Sequence, residues 1–229
     1  MITAWHFVRT TESGPVLRDG RPVVVGEWSD HDGPLVLCES GLHASEDILD
    51  ALRYAPGAVC CRVECDGEIV RAADKFVCRR RRVLWIVDAD RLAREWALDC
   101  AERALVRERE SGREPDERSW RAVEVGRAYL SGAAGSEELD AARAAAWAAA
   151  EAEAAAAAAA AAWAAAEAAW AAADAARAAA AAWAAAEAAW AAAWAASWAA
   201  AADRAAERDW QRAALLARID AARTAGGGT

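Results

Sequence analysis

The sequence predicts an α+β protein. A small mixed-strand head domain with two helices comes first, and a long Ala-rich α-helical tail follows, as a continuous helix or alternatively as a helical hairpin. Three observations carry this reading. The 229-residue chain changes alphabet at Gly135, from short apolar runs punctuated by Asp-Gly and Gly-Pro pairs to Ala, Trp and scattered charges. The 56% hydrophobic content is therefore largely Ala of the tail, and an ordinary core is to be sought before Gly135. Third, 8 of the 13 Trp, from Trp147 to Trp210, lie in the tail at helical spacing. The resulting domains are a head over 1–105, a charged connector with a short helix over 106–135, a repeat helix over 136–224 and a flexible Gly-rich end over 225–229.

Within the head, Ala4 to Val8 opens a strand, Pro22 to Val25 continues after the Arg18-Asp19-Gly20 turn, and Leu35 to Cys38 follows Asp32-Gly33-Pro34. The period then changes, with Ile48, Leu49, Leu52 and Ala55 falling on one helical face. Ser45 is the expected N-cap, Glu46 and Asp47 suit the positive end of the helix dipole, and Pro56-Gly57 ends the helix. Ala58 to Cys65 alternates with period two, placing Val59, Cys61, Val63 and Cys65 on one face against Cys60, Arg62 and Glu64 on the other. Asp66-Gly67 turns the chain into Glu68-Ile69-Val70, and Val83 to Val87 supplies another strand. A helix capped by Asp88 or Asp90 then places Leu92, Trp96, Cys100 and Ala104 on a narrow face suited to packing on a sheet. Arg107 to Arg121, broken by Ser111-Gly112 and Pro115, reads as an exposed connector before a helix from Trp120 to Leu130. Ser136 caps the next helix.

Charge narrows the function classes. With 27 Lys plus Arg against 36 Asp plus Glu, the net charge is -9, which argues against a nucleic-acid partner bound by neutralising its phosphate backbone, so no nucleic acid is expected. The basic run Arg79 to Arg82 reads as the flank of the Val83–Val87 strand. Met1 to His6 shows no secretory pattern, so a cytoplasmic location and six free Cys are expected. No run suits a membrane span. Cys38, His43, Cys65 and Cys78 are metal-ligand types, yet they lack paired C-x-x-C spacing, so no metal and no cofactor is expected. Whether the chain is an enzyme is left open.

Two resemblances add to this. Cys38-Glu39-Ser40-Gly41-Leu42-His43-Ala44-Ser45, the helix ending in Tyr54, the strand that follows and Asp74-Lys75 resemble an uncharacterised family of bacterial and phage proteins. Its members share a C-x-x-G-[LF]-H-[AS] stretch and often a variable repetitive tail. The family implies architecture but no mechanism. More distantly, Trp5-His6, Gly41 to Ser45, the Leu49–Tyr54 helix and Val63 to Glu68 resemble, in order and spacing, segments of poly-ADP-ribose-polymerase-type ADP-ribosyltransferases. That resemblance implies that His6 holds a ribose hydroxyl and that His43 stacks on nicotinamide. The chain departs from it in offering no catalytic Glu in Val83 to Val87, so a binding-only head fits better than a transferase. The ligand-binding candidates are His6, His43, Ser45 and Tyr54. A non-catalytic interaction protein is the first functional reading, and NAD-like binding or ADP-ribosyl transfer is the alternative.

In the tail, Trp163-Ala-Ala-Ala-Glu167-Ala-Ala-Trp170 recurs 20 residues later as Trp183-Ala-Ala-Ala-Glu187-Ala-Ala-Trp190. A continuous helix from Glu137 to Ala222 would be about 130 Å long, and a shift of 20 residues would turn the second Trp stripe by roughly 200°. Trp163, Trp170, Trp183, Trp190, Trp194 and Trp198 form the expected contact stripe for self-association or for a protein partner.

Overall fold

The computed structural model describes residues 1–112, 114–153 and 201–226. They divide into two compact units, Met1–Ala89 with Leu216–Thr229, and Asp90–Leu215. The first contains β1 (Ile2–Thr11), β2 (Gly14–Val16), β3 (Trp28–Asp30), β4 (Leu42–Ala44), α1 (Ile48–Leu52), β5 (Val59–Arg71) and β6 (Phe76–Asp88). All named pairings are antiparallel, in the order β2-β1-β5-β6-β3, with β4 also on β6. The sheet is thus antiparallel rather than mixed.

Closure of this sheet follows from one short segment. β4 pairs with Phe76 to Cys78 on the outer edge of β6, and Ser45, the next residue, bonds to Trp5 on the outer edge of β1. Trp5 N–H donates to Ser45 O at 2.8 Å and Ser45 N–H to Trp5 O at 3.0 Å. The sheet therefore curls back on itself, which satisfies two edges and encloses one face. The core cluster includes Ala4, Val8, Leu17, Ala44, Val59, Cys61, Val63, Cys65, Phe76, Cys78 and Val83. Cross-strand rows run Ile2–Cys65–Arg81, Ala4–Val63–Val83 and His6–Cys61–Ile86. The alternating face expected from β5 thus lies inside, while the opposite face carries the row Trp5–Arg62–Trp85. There the Arg62 guanidinium stacks over Trp5 at 4.3 Å and Arg223 over Trp85 at 5.6 Å.

Several local expectations change. Asp66-Gly67 does not end a strand. β5 continues through it at a bulge in which Gly67 adopts φ +77°, so that Asp66 faces Arg80 and Ile69 faces Cys78. Pro22 to Val25 makes only isolated bridges, in keeping with the missing N–H of Pro22 and the exposure of Val24 and Val25. Leu35 to Cys38 enters a turn in which the Val36 and Ser40 backbones exchange hydrogen bonds. The α1 N-cap is Asp47, whose carboxylate accepts from Leu49 N–H at 2.9 Å, and Ser45 serves the sheet instead. Arg79 to Arg82 do not flank a strand but form the middle of β6.

The second unit is helical. It holds α2 (Asp90–Glu110), α3 (Glu117–Leu130), α4 (Ser136–Glu153) and the first part of α5 (Ala201–Ala225). α2 runs further than its predicted face, to Glu110, leaving a shorter connector before Asp116 caps α3. α3 approaches α2 closely at Gly126, where a Cβ would meet Leu98 Cδ2 at 2.6 Å. α4 packs Leu139, Ala142 and Ala146 against Ala122 and Val125 of α3. On α2, Trp96 Nε1–H donates to the Gln211 carbonyl of α5 at 3.0 Å, while Arg103 and Arg107 both bind the Glu207 carboxylate at 2.6 Å.

These contacts overturn the long continuous Ala-rich helix. A straight helix starting at Glu137 would carry Gln211 about 110 Å from its origin at 1.5 Å per residue. Instead, Leu139 and Gln211 belong to one compact unit, joined through α3 and α2. Buried contacts of α4 and α5 hold the two described ends of the Ala-rich segment within that unit. The contact stripe Trp163, Trp170, Trp183, Trp190, Trp194 and Trp198 lies outside the described residues.

Candidate functional site

The four consecutive arginines of β6 have separate fates, because a strand sends neighbours to opposite faces. Arg79 donates to the carbonyls of His31 and Gly33 and pairs with Glu68 at 2.7 Å. Arg80 binds Asp30 at 2.6 Å and Arg82 binds Glu64 at 2.6 Å, both stacking on Trp28. Arg81 alone enters the enclosed face, where it is only 5% exposed. Its Nη1 donates to the carbonyl oxygen of His43 at 2.5 Å. No carboxylate pairs with it among the described residues, and burial lowers its pKa against the opposing pull of Cys65, Cys61, Cys78 and, more weakly, Asp19. Asp19 is itself held by Arg21 at 2.8 Å.

His6 shares this interior. It is half-buried, and neither ring nitrogen has a hydrogen-bond partner among the described residues. Burial, with Arg81 and then His43 adding to it, pushes its pKa well below the usual histidine value, so the ring is neutral at pH 7. The turn from Leu17 to Arg21 stands at the same end of the sheet: Leu17 belongs to the core, Arg18 acts on His43, and Asp19 acts on Arg81. Burial also pushes the Cys61 thiol up to about 12. Cys78 is drawn down by the neighbouring Cys65 thiol and by Arg81. Its sulfur lies 3.2 Å from the carbonyl oxygens of Leu42 and Arg80, either of which can accept its one S–H.

The stretch from Cys38 to His43 forms a self-closing loop beside this interior. Cys38 adopts φ +67° and Gly41 φ +113°. A Cβ on Gly41 would lie 2.3 Å from Val77 Cγ2, so glycine is required here both by conformation and by space. The His43 ring locks the loop, with Nε2 accepting the Cys38 N–H at 2.8 Å and Nδ1 facing the Gly41 carbonyl at 3.2 Å. Only the neutral Nδ1–H tautomer satisfies both contacts. Burial, with Arg81, Lys75 and Arg18 adding to it, accordingly lowers the His43 pKa against the opposing pull of Gly41 O. Outside the loop, Tyr54 is exposed and its hydroxyl donates to Asp74 at 2.5 Å, holding that carboxyl below its ordinary value. The Lys75 ammonium sits 3.9 Å from the Tyr54 ring centre, and the neighbouring Cys38 thiol, then Tyr54, raises its pKa.

The sequence candidates thus divide. His6 and His43 come within electrostatic reach of each other, but the His43 ring nitrogens are engaged by backbone groups of its own loop. Ser45 is buried in the β1 edge, and Tyr54 belongs to an outer cluster with Asp74 and Lys75. Sequence reasoning missed Arg81. The available signal was the apolar alternation entering the arginine run from both sides, but the β-bulges hide which arginine turns inward. Among the described residues no group of three or more His, Cys, Asp or Glu is arranged to hold a metal ion. No helix among them is long and apolar enough to cross a membrane.

Residues 18–95 match the model of an uncharacterised family, a domain of unknown function (DUF7666). The matched stretch contains the Cys38–His43 loop, Tyr54, Asp74, Lys75 and Arg81, whereas His6 lies before it. No curated protein and no solved structure matches the chain.

Proposed function

We propose that this is a non-catalytic interaction protein whose curled sheet is a ligand-binding head. The observation that carries this reading is the convergence on one enclosed face of two polar side chains, Arg81 and His6, whose hydrogen-bonding groups are not used up by the fold. Buried polar groups are normally satisfied internally, and small closed sheets commonly take ligands at their mouths. The test is a thermal-shift screen of the full chain against anionic, neutral and cationic small metabolites. Binding should raise Tm saturably and move the His6 ring resonances, with the bound compound recovered unchanged. No binder in any charge class would refute the reading, and turnover of a binder would refute its non-catalytic part.

An NAD-like ligand is the second reading, favoured by the approach of His6 to His43. NAD titrated into the protein should then release or absorb heat and raise Tm; neither effect would dismiss it. As a protein-contact segment we propose the repeat carrying Trp163, Trp170, Trp183, Trp190, Trp194 and Trp198. A monodisperse monomer by light scattering at micromolar concentration would count against self-association.

A further inference from the structure

Among the described residues, no carboxylate pairs with the buried Arg81 guanidinium. A guanidinium stays ionised at any physiological pH, and burying it without a counter-charge is costly unless something compensates. The other three arginines of the run have carboxylate partners, at Glu68, Asp30 and Glu64. Arg81 is the most buried of them and has one carbonyl. Asp19, a carboxylate that acts weakly on it, is turned to Arg21. The Cys78 thiol faces two carbonyl oxygens, which would repel a thiolate, so it does not supply the negative charge.

Arg18 from the Leu17–Arg21 turn acts on His43, the residue whose carbonyl anchors Arg81, while Lys75, just before β6, stays in the outer cluster with Tyr54. His6 offers a neutral imidazole with free ring nitrogens on the same face, able to donate one N–H to an oxygen acceptor. A fixed guanidinium fork and one neutral donor suit an anionic ligand with at least three oxygens.

We propose that the enclosed face of the head is a phosphate-binding site in which Arg81 is the principal ligand-holding residue and His6 a second donor, the ligand being a small molecule that carries a phosphate group. This rests on the reading of the head as a binding module and names the chemistry of what it binds. A terminal carboxylate spends both its oxygens on the guanidinium fork, whereas a phosphate keeps a further oxygen for the His6 donor.

The experiment uses the full chain with inorganic phosphate as probe, at constant ionic strength set with chloride, and acetate as the carboxylate arm. Phosphate should raise Tm saturably and shift the His6 ring resonances, and acetate should do so at least tenfold more weakly. In R81K, which keeps the charge but loses the fork, phosphate affinity should fall at least tenfold. In R81M the response should vanish, while Tm without phosphate should equal or exceed that of the wild type, because an unpaired buried charge has been removed. No saturable response in the wild type would overturn the proposal, as would acetate binding as tightly as phosphate. So would an R81M protein of lowered Tm that still responds to phosphate, since Arg81 would then be only a brace for His43. Should R81M fail to fold, the R81K affinity decides. If the metabolite screen finds only neutral or cationic binders, the binding module stands and the phosphate assignment falls.

Discussion

Glu207 is the residue on which the return of the C-terminal helix to α2 can be tested most directly. Its carboxylate is 2% exposed, and one oxygen accepts from Arg103 Nε and Arg107 Nη1 at 2.6 Å each, while the other accepts from Gln211 Nε2 at 3.2 Å. E207Q keeps the shape and removes the charge. Breaking a buried ion pair from one side costs about 3–5 kcal/mol, against about 0–1 kcal/mol for a surface pair. Arg103 and Arg107 retain 39% and 29% exposure, so water can take over part of their solvation, and the expected loss is about 2–3 kcal/mol. At about 2–4 °C per kcal/mol for a chain of this size, Tm should fall by about 4–12 °C. The assay is urea and thermal unfolding followed by circular dichroism and by Trp fluorescence, since Trp96 bonds to Gln211 and Trp210 stacks on Arg103. An E207Q midpoint at or above that of the wild type would refute the argument that this three-residue clamp holds α5 against α2.

Four further outcomes are expected. G41A should lose about 2–4 kcal/mol in urea unfolding, because alanine would combine the φ of +113° with a 2.3 Å contact to Val77; a loss under about 0.5 kcal/mol would contradict the loop geometry. Stability should fall as pH drops below about 6.5, since His6 and His43 both have lowered native pKa values and the unfolded chain then binds more protons. The His6 share has a ceiling of about 1.4 kcal/mol at pH 5.5, and H6Q should flatten the slope measured between pH 7.5 and 5.5. In Y54F the Asp74 carboxyl should titrate at higher pH than in the wild type by NMR, because the hydroxyl that stabilises its charged form is gone. Finally, a thiol reagent should modify Cys38 alone in the native protein and six thiols after denaturation, since the other five are buried.

What could be read from the sequence was whatever depends on local period. The inward face Val59, Cys61, Val63 and Cys65 follows from alternation in one uninterrupted stretch, and the core confirms it residue by residue. The α1 helix is legible from its apolar face, although the cap moves from Ser45 to Asp47 because a long-range pair with Trp5 claims the Ser45 backbone. β2, β3 and β4 span three residues each, too few for alternation to register, and their existence depends on edges supplied by β1 and β6. The continuous helix failed as a reading for the opposite reason, although both described parts of the tail, Ser136–Glu153 and Ala201–Ala225, are helical. Propensity summed over Ala is strong and local, and it says nothing about Trp96 or Arg103, more than a hundred residues upstream of their α5 partners.

The candidate site shows how small an irregularity can hide a functional residue. Counting by twos from Cys78 places Arg80 and Arg82 inward and Arg81 outward. Counting back by twos from Ile86, which is also inward, gives Leu84, Arg82 and Arg80, the same answer. Both counts are wrong. β5 spends Gly67 and Glu68 against Arg79 alone, and β6 spends Leu84 as an extra residue between the Arg62–Trp85 and Val63–Val83 pairs. The first bulge moves the phase by one and the second moves it back, so only the residues between them, Arg80 to Val83, have their faces exchanged. Two bulges that cancel leave both ends of the strand in register with the apolar pattern and deliver one arginine to the interior. The irregularity therefore has a consequence that plain pairing would not: without it, Arg80 and Arg82 would both lie on the enclosed face and Arg81 outside, whereas with it a single guanidinium faces the interior that holds His6.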